Sequence, residues 1–220
     1  MSILWLLPLA GYFLGATPFG LLIVKIRSGR DVRGMGSGNI GAANVARSAG
    51  AAAGALTLAL DAGKGALAVW LAMRLTAAQA AGPVAAPPDS AVSGITWAVA
   101  TGFAAILGHL FPVWLRFHGG KGVATGAGVF AMICWPATAG ALLVWAATVA
   151  VWRYVSLGSM LAAAALPPLT YFLYAPPHAP PLSVSLGVTL AAILIIVQHR
   201  GNIARLIRGE EPRFTLRGKM

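Results

Sequence analysis

Acidic side chains are nearly missing from this 220-residue sequence, in which five Asp and Glu stand against sixteen Lys and Arg. The five, Asp31, Asp61, Asp89, Glu210 and Glu211, are too few for the clustered carboxylates that hold divalent metal in phosphate chemistry, so no metal or other cofactor is expected. Cysteine is almost absent too. Cys134 stands alone, which rules out an internal disulfide, and its place within an apolar block suits a small buried hydrophobe. Charge of either sign is scarce, at 10% of residues against about a quarter in ordinary soluble domains. The net charge of +11 would suggest a nucleic-acid partner in a soluble protein. Here the cations lie between long apolar blocks, the pattern of loops on the cytoplasmic side of a membrane, and nucleic acid is not expected.

What the sequence has in abundance is hydrophobic residues, 58% of the chain. They fall in blocks at about 3–24, 49–75, 95–115, 123–135, 137–152, 157–174 and 182–198. Spanning a bilayer takes roughly 20 apolar residues, so the chain holds six or seven spans and no separate soluble domain. Residues 1–220 read as a single integral membrane domain. The first block has no basic residue before it and is followed by Lys25, Arg27, Arg30 and Arg33, which suits a retained helix rather than a cleaved signal. The fourth and fifth blocks are contiguous apart from Trp135-Pro136, and each is short. As one span they put Arg153, Arg200, Arg205, Arg208, Arg213, Arg217 and Lys219 outside. Broken at Pro136, whose ring clashes with the preceding turn, they put all of these inside. The outer side then carries the Pro-rich stretch 82–88 and only Arg74 among the cations. The expectation is an all-α protein of seven transmembrane helices, N-terminus out and C-terminus cytoplasmic.

Three polar segments lie at the cytoplasmic ends of these spans. The first, Gly36-Ser37-Gly38-Asn39-Ile40-Gly41-Ala42-Ala43-Asn44-Val45-Ala46-Arg47, has glycines that let backbone amides turn toward one point, as in anion-binding nests. A helix follows, presenting N-terminal donors to the same place, and Asn44 and Arg47 are three apart, which puts them on one helical face. The second, Phe117-His118-Gly119-Gly120-Lys121-Gly122-Val123-Ala124-Thr125, flanks one lysine with glycines just before a helix. It lacks the four-residue spacer of a nucleotide P-loop, and no strand precedes it. The third, Gln198-His199-Arg200-Gly201-Asn202-Ile203-Ala204-Arg205-Leu206, sets His199 and Asn202 three apart directly after an apolar helix. A fourth feature lies within the second span. Asp61 and Lys64, costing about 2.5–3.5 kcal/mol each at the bilayer centre, are spaced to pair on one inward face. Lys64 could also lend its charge to a site near the cytoplasmic half.

Taken together and in this order, these segments resemble the PlsY family of bacterial acyl-phosphate:glycerol-3-phosphate acyltransferases. Ser37-Gly38-Asn39, Asn44 and Arg47 match its first motif, Gly119 to Thr125 its second, and His199-Arg200, Asn202-Ile203 and Arg205-Leu206 its third. Gly108-His109, Phe111-Pro112, Asp61, Lys64-Gly65 and Arg153-Tyr154 with Ser156-Leu157 also look like family segments. Ala43 stands where a threonine is expected and His118 where a lysine is common. The resemblance implies transfer of a fatty acyl group from acyl phosphate, not acyl-CoA, to the 1-hydroxyl of glycerol 3-phosphate. The products are lysophosphatidate and phosphate, a step of phospholipid biosynthesis at the bacterial inner membrane with the site on the cytoplasmic side.

In that frame the catalytic candidates are His199, Asn202 and Lys121. The substrate and phosphate contacts are Ser37, Gly38, Asn39, Asn44, Arg47, Gly119, Gly120, Gly122, Ser156 and Arg205, with Lys64 and Asp61 as further members. The partners are glycerol 3-phosphate, a long-chain acyl phosphate and membrane lipids. The His-x4-Asp pair of other glycerolipid acyltransferases is absent, since the residues five past His109, His118 and His199 are Trp114, Val123 and Ala204. No Ser-His-carboxylate set is apparent either. The rival reading is a transporter of a phosphorylated small molecule, against which stands the gathering of polar motifs on one side of the membrane. The catalytic reading requires the three segments to converge.

Overall fold

A computed structural model describes residues 3–80, 90–174 and 179–214. The Pro-rich stretch, Asp89, Arg217 and Lys219 lie outside the described residues, which contain helices and turns and no strand. The chain divides into two compact units, Met1–Ile133 and Cys134–Met220. Among the described residues, five helical stretches are long and apolar enough to cross a membrane: Leu6–Ser28, Ala51–Gln79, Gly94–Leu115, Trp135–Trp152 and Val155–Leu173. A sixth is formed if Leu182–Gln198 and Arg200–Ile207, bent by 52°, are counted as one span.

In the first unit, the expected opening helix is broken in two, α1 (Leu6–Gly15) and α2 (Phe19–Ser28). The break falls at Thr17-Pro18, where proline supplies no N–H and restricts the residue before it. Helix α3 (Ala42–Ala49) carries the end of the first motif. Gly50, at φ +94°, separates it from the long helix α4 (Ala51–Ala80). Helix α5 (Ser90–Leu110) leads through a 3-10 turn, Val113–Leu115, to the second motif and α6 (Val123–Ile133). Small residues let these helices meet backbone to backbone, as in membrane bundles. A Cβ at Gly65 would strike the Thr125 carbonyl of α6, and one at Gly128 the Ala62 carbonyl of α4. Gly11 and Gly15 of α1 approach Thr101 and Ala105 of α5 in the same way.

The expected break near Pro136 is present. The chain leaves helical geometry at Cys134 (φ −149°, ψ 83°), and Pro136 sits in the first turn of α7 (Trp135–Trp152), where its missing N–H costs nothing. At 11 residues, α6 is only about 16 Å long, half of a hydrocarbon core.

In the second unit, α7 lies along α8 (Val155–Leu173), and α8 along α9 (Leu182–Gln198). His199 ends α9 and starts α10 (Arg200–Ile207). Gly209, at φ +71°, then turns the tail back across the α7–α8 corner. There Phe214 N–H donates to Arg153 O (2.6 Å), Arg153 Nε donates to Phe214 O (3.0 Å), and the Arg213 guanidinium lies over the Tyr154 ring.

Candidate active site

The first motif is a loop wound around one side chain. Asn44, from α3, is buried. Its Oδ1 accepts from Ser37 N–H (2.9 Å), and its Nδ2 donates to the carbonyls of Met35 (3.0 Å), Asn39 (2.9 Å) and Val32 (3.3 Å). Asn39 Oδ1 accepts from Gly41 N–H (2.8 Å), and Gly38 N–H donates to Met35 O (2.9 Å). Gly36 and Gly38 take the left-handed conformation that lets the loop close on Asn44. The open nest of amides expected from the glycines is therefore corrected. The N–H groups of Ser37, Gly38 and Gly41 are engaged inside the loop, and Asn44 and Asn39 hold its shape. The loop offers side chains instead, with Ser37 and Arg47 exposed and Asn44, despite its three-residue spacing from Arg47, turned inward. Arg33 is drawn off by Asp31 in a two-pronged ion pair (2.6 Å and 3.0 Å), whose guanidinium hydrogen bonds hold the Asp31 carboxyl down at about 2.

The second motif closes on the end of α5. Arg116 and Phe117 both take positive φ, 51° and 61°, a strained pair for non-glycine residues. The chain then doubles back so that Gly119 N–H donates to Leu110 O (3.1 Å) and Gly120 N–H to His109 O (3.0 Å). These two glycines likewise shape the loop with their amides rather than presenting them. Gly122, at φ +79°, turns the chain from the loop that carries Lys121 into α6, which starts at Val123. Leu115, just before the second motif, packs in one apolar cluster with Ile40 and Val45 of the first and with Val32 ahead of it.

Asp61 and Lys64 pair at 2.8 Å on α4, both buried, as their spacing predicts. Lys64 Nζ also donates to the carbonyl of Thr17 at the break in the first span (2.8 Å), and His109 Nδ1 faces Asp61 Oδ1 at 3.6 Å. Lys64 is thereby committed inside the unit.

The third motif lies in the second unit. His199 is buried, and its Nδ1 lies 2.7 Å from Ile195 O. A nitrogen bonded to a carbonyl must carry the proton, so the neutral ring has its lone pair on Nε2. Asn202, expected among the catalytic residues, and Ser156 and Arg205, expected to bind substrate, meet on a side chain that sequence reasoning passed over. Ser156 Oγ and Asn202 Nδ2 each donate to Glu211 Oε1 (2.6 Å), and Arg205 Nε donates to Oε2 (2.8 Å). Burial works against the charge on Glu211, but the three donors and the Arg205 charge outweigh it and hold the carboxyl below its ordinary value. The charge of Arg205 is thus offset by Glu211 within the chain. The available signal was scarcity: with five acids in the chain, two adjacent ones in its most basic segment call for partners. Glu210 takes Arg208 at the surface (2.8 Å) and Glu211 takes the buried donors.

A helical membrane protein with a glycine–lysine loop and a histidine–asparagine helix start defines a class, and comparison fixes the family within it. Residues 5–209 match the family described as Glycerol-3-phosphate acyltransferase, so the chain belongs to that family, and the match runs through both units. A glycerol-3-phosphate acyltransferase of Jannaschia sp. (strain CCS1) is 44% identical over 211 residues, covering 96% of this chain and 93% of its own. Two crystal structures of PlsY (YgiH), an integral membrane glycerol 3-phosphate acyltransferase, are also similar. Its glycerol 3-phosphate form shares 34% identity with a TM-score of 0.82, and its lysophosphatidic acid form 33% with a TM-score of 0.79. Each alignment covers 97% of this chain and 96% of that one.

Proposed function

We propose that this protein acylates glycerol 3-phosphate at its 1-hydroxyl with a fatty acyl phosphate, releasing lysophosphatidate and phosphate. The observation that carries the reading is the likeness along 97% of the chain to a protein solved in forms named for the substrate and the product. In the reaction the hydroxyl oxygen bonds to the acyl carbon, the acyl–phosphate bond breaks, and the hydroxyl proton leaves to a base. An acyl phosphate is already activated, so positioning and charge stabilisation supply most of the rate. Ser37, Arg47 and Lys121 are the side chains of the first unit we assign to phosphate oxygens, on loops shaped by Gly38, Asn39, Asn44, Gly119, Gly120 and Gly122. In the second unit His199 is assigned to the attacking hydroxyl, and Asn202, Ser156 and Arg205 to hydrogen bonds with substrate oxygens. Purified protein given glycerol 3-phosphate should turn over palmitoyl phosphate and leave palmitoyl-CoA untouched. Activity with the thioester alone would overturn the donor assignment, and liposome uptake without product would favour a transporter.

We also read residues 1–220 as one catalytic domain in the bacterial inner membrane, with seven crossings and the polar motifs on the cytoplasmic side. Charge parity supports it, because a return of the chain through the short α6 is what keeps Arg153 and the tail arginines inside. An N-terminal tag should be reached by an impermeant reagent from outside intact spheroplasts. Labelling only after lysis would reverse the topology.

A further inference from the structure

Three buried ionisable side chains, Asp61, Lys64 and His109, touch no substrate in the reading above. Holding charges inside a membrane helix costs about 2.5–3.5 kcal/mol each on insertion scales, and well-packed apolar residues join helices as firmly as a buried ion pair does. Packing alone therefore leaves the trio unexplained. Its geometry ends on the second motif. His109 stands in the last turn of α5 and grips Gly120 at two points. Its carbonyl accepts the Gly120 N–H at 3.0 Å, and its imidazole lies so close that a Cβ at position 120 would land on Nε2. The other ring nitrogen, Nδ1, has no hydrogen-bond partner among the described residues and faces Asp61 Oδ1 at 3.6 Å. Asp61 is held by Lys64 (2.8 Å), which is held in turn by the Thr17 carbonyl (2.8 Å). The series runs from the break in the first span, through α4, to the residue before Lys121.

We propose that His109, backed by the Asp61–Lys64 pair, is a positioning residue that sets the place of Lys121 by bearing on Gly120. This rests on the reading that Lys121 contacts the phosphate of glycerol 3-phosphate. The ring acts as a stop: remove it and the loop settles toward α5, or add a methyl at 120 and the loop is pushed away. Either displacement moves the lysine ammonium relative to a phosphate it must meet at hydrogen-bond distance, and so weakens a charge-assisted contact that holds the substrate.

The test is steady-state kinetics on His109→Ala, Gly120→Ala and the double variant, each purified and checked for folding by its thermal transition. Each single change should raise KM for glycerol 3-phosphate about tenfold or more while kcat stays within about threefold, since a binding group moves but the chemistry does not. In the double variant the new methyl enters the space the ring vacated, so KM should lie below that of either single variant. An unchanged KM in His109→Ala, a loss confined to kcat or thermal stability, or single effects that multiply in the double variant would each overturn the proposal. If His109→Ala cannot be purified, His109→Asn, which keeps a polar group toward Asp61 but withdraws the ring from Gly120, takes its place under the same criteria. Wild-type protein without acyltransferase activity would count against the functional reading. Active wild type with normal KM in the His109 variant would count against His109 alone.

Discussion

Glu211→Ala should lower the protein's unfolding free energy by about 2–4 kcal/mol, a large share of the ~5–15 kcal/mol typical of a folded domain, and should abolish most of its activity. The Glu211 side chain is 7% exposed and serves as the common acceptor for Ser156, Asn202 and Arg205. Breaking a fully buried ion pair from one side costs about 3–5 kcal/mol, and the figure is discounted here because Arg205 is 32% exposed. The buried Ser156 and Asn202 groups add about 1 kcal/mol or more each when left without an acceptor. Activity falls with stability because Asn202 and Ser156 are placed by the same carboxylate. Thermal unfolding in detergent, with kcat measured on the surviving folded fraction, checks both parts. Glu211→Gln, keeping the volume and one acceptor oxygen, should fall between wild type and alanine.

The same carboxylate predicts a pH dependence. Its folded value lies below the ordinary glutamate value of 4.5, so its stabilisation is present above that value and is lost as pH falls through the folded one. The wild-type melting temperature should therefore drop on acidification below about pH 4.5, and the drop should be smaller in Glu211→Gln. Asp31 titrates lower still, but as an exposed pair it contributes little to the fall. An equal acid drop in both proteins would remove Glu211 from the account.

Features written as periodicity or as breaks were legible in the sequence. The last apolar block coincides with α9, the break near Pro136 is there, and the Asp61–Lys64 spacing gives the pair it predicts. Less legible was what a polar side chain does after it reaches its place. Asn44 and the glycines look like anion ligands because amides, asparagine and glycine serve a phosphate and a tight loop equally well. Only the bonds from Asn44 to Val32, Met35 and Asn39 separate the two uses. The first span hid its break for a related reason. Thr17-Pro18 lies in an apolar run, and its purpose is evident only where the Thr17 carbonyl meets Lys64, 47 residues away. Glu211 was opaque because its partners are 6, 9 and 55 residues distant, and no local pattern encodes the last of these.

The largest effect on chemistry is expected at His199. Acyl transfer must dispose of the proton on the attacking hydroxyl, and a positioned base contributes about 100- to 10,000-fold. The bond between Nδ1 and Ile195 O fixes which nitrogen carries hydrogen and leaves the lone pair on Nε2, the state a base requires. The orientation is enforced by burial, with His199 2% exposed, so the ring pays for alignment during folding rather than during turnover. His199→Ala should therefore lower kcat about 100-fold or more, with KM for glycerol 3-phosphate nearly unchanged, and the acid limb of the kcat profile due to an imidazole should vanish. Its effect on folding should be about 1–3 kcal/mol, from the lost hydrogen bond to the preceding turn and the space left by a buried ring. The informative alternative is a raised KM over a pH profile of unaltered shape. That result would reduce His199 to a binding group and pass the proton to an oxygen of the substrate phosphate, which the chemistry also permits because phosphate leaves as a base. Separating kcat from KM across pH decides between them, since only a base on the protein takes the limb of the profile with it when it is removed.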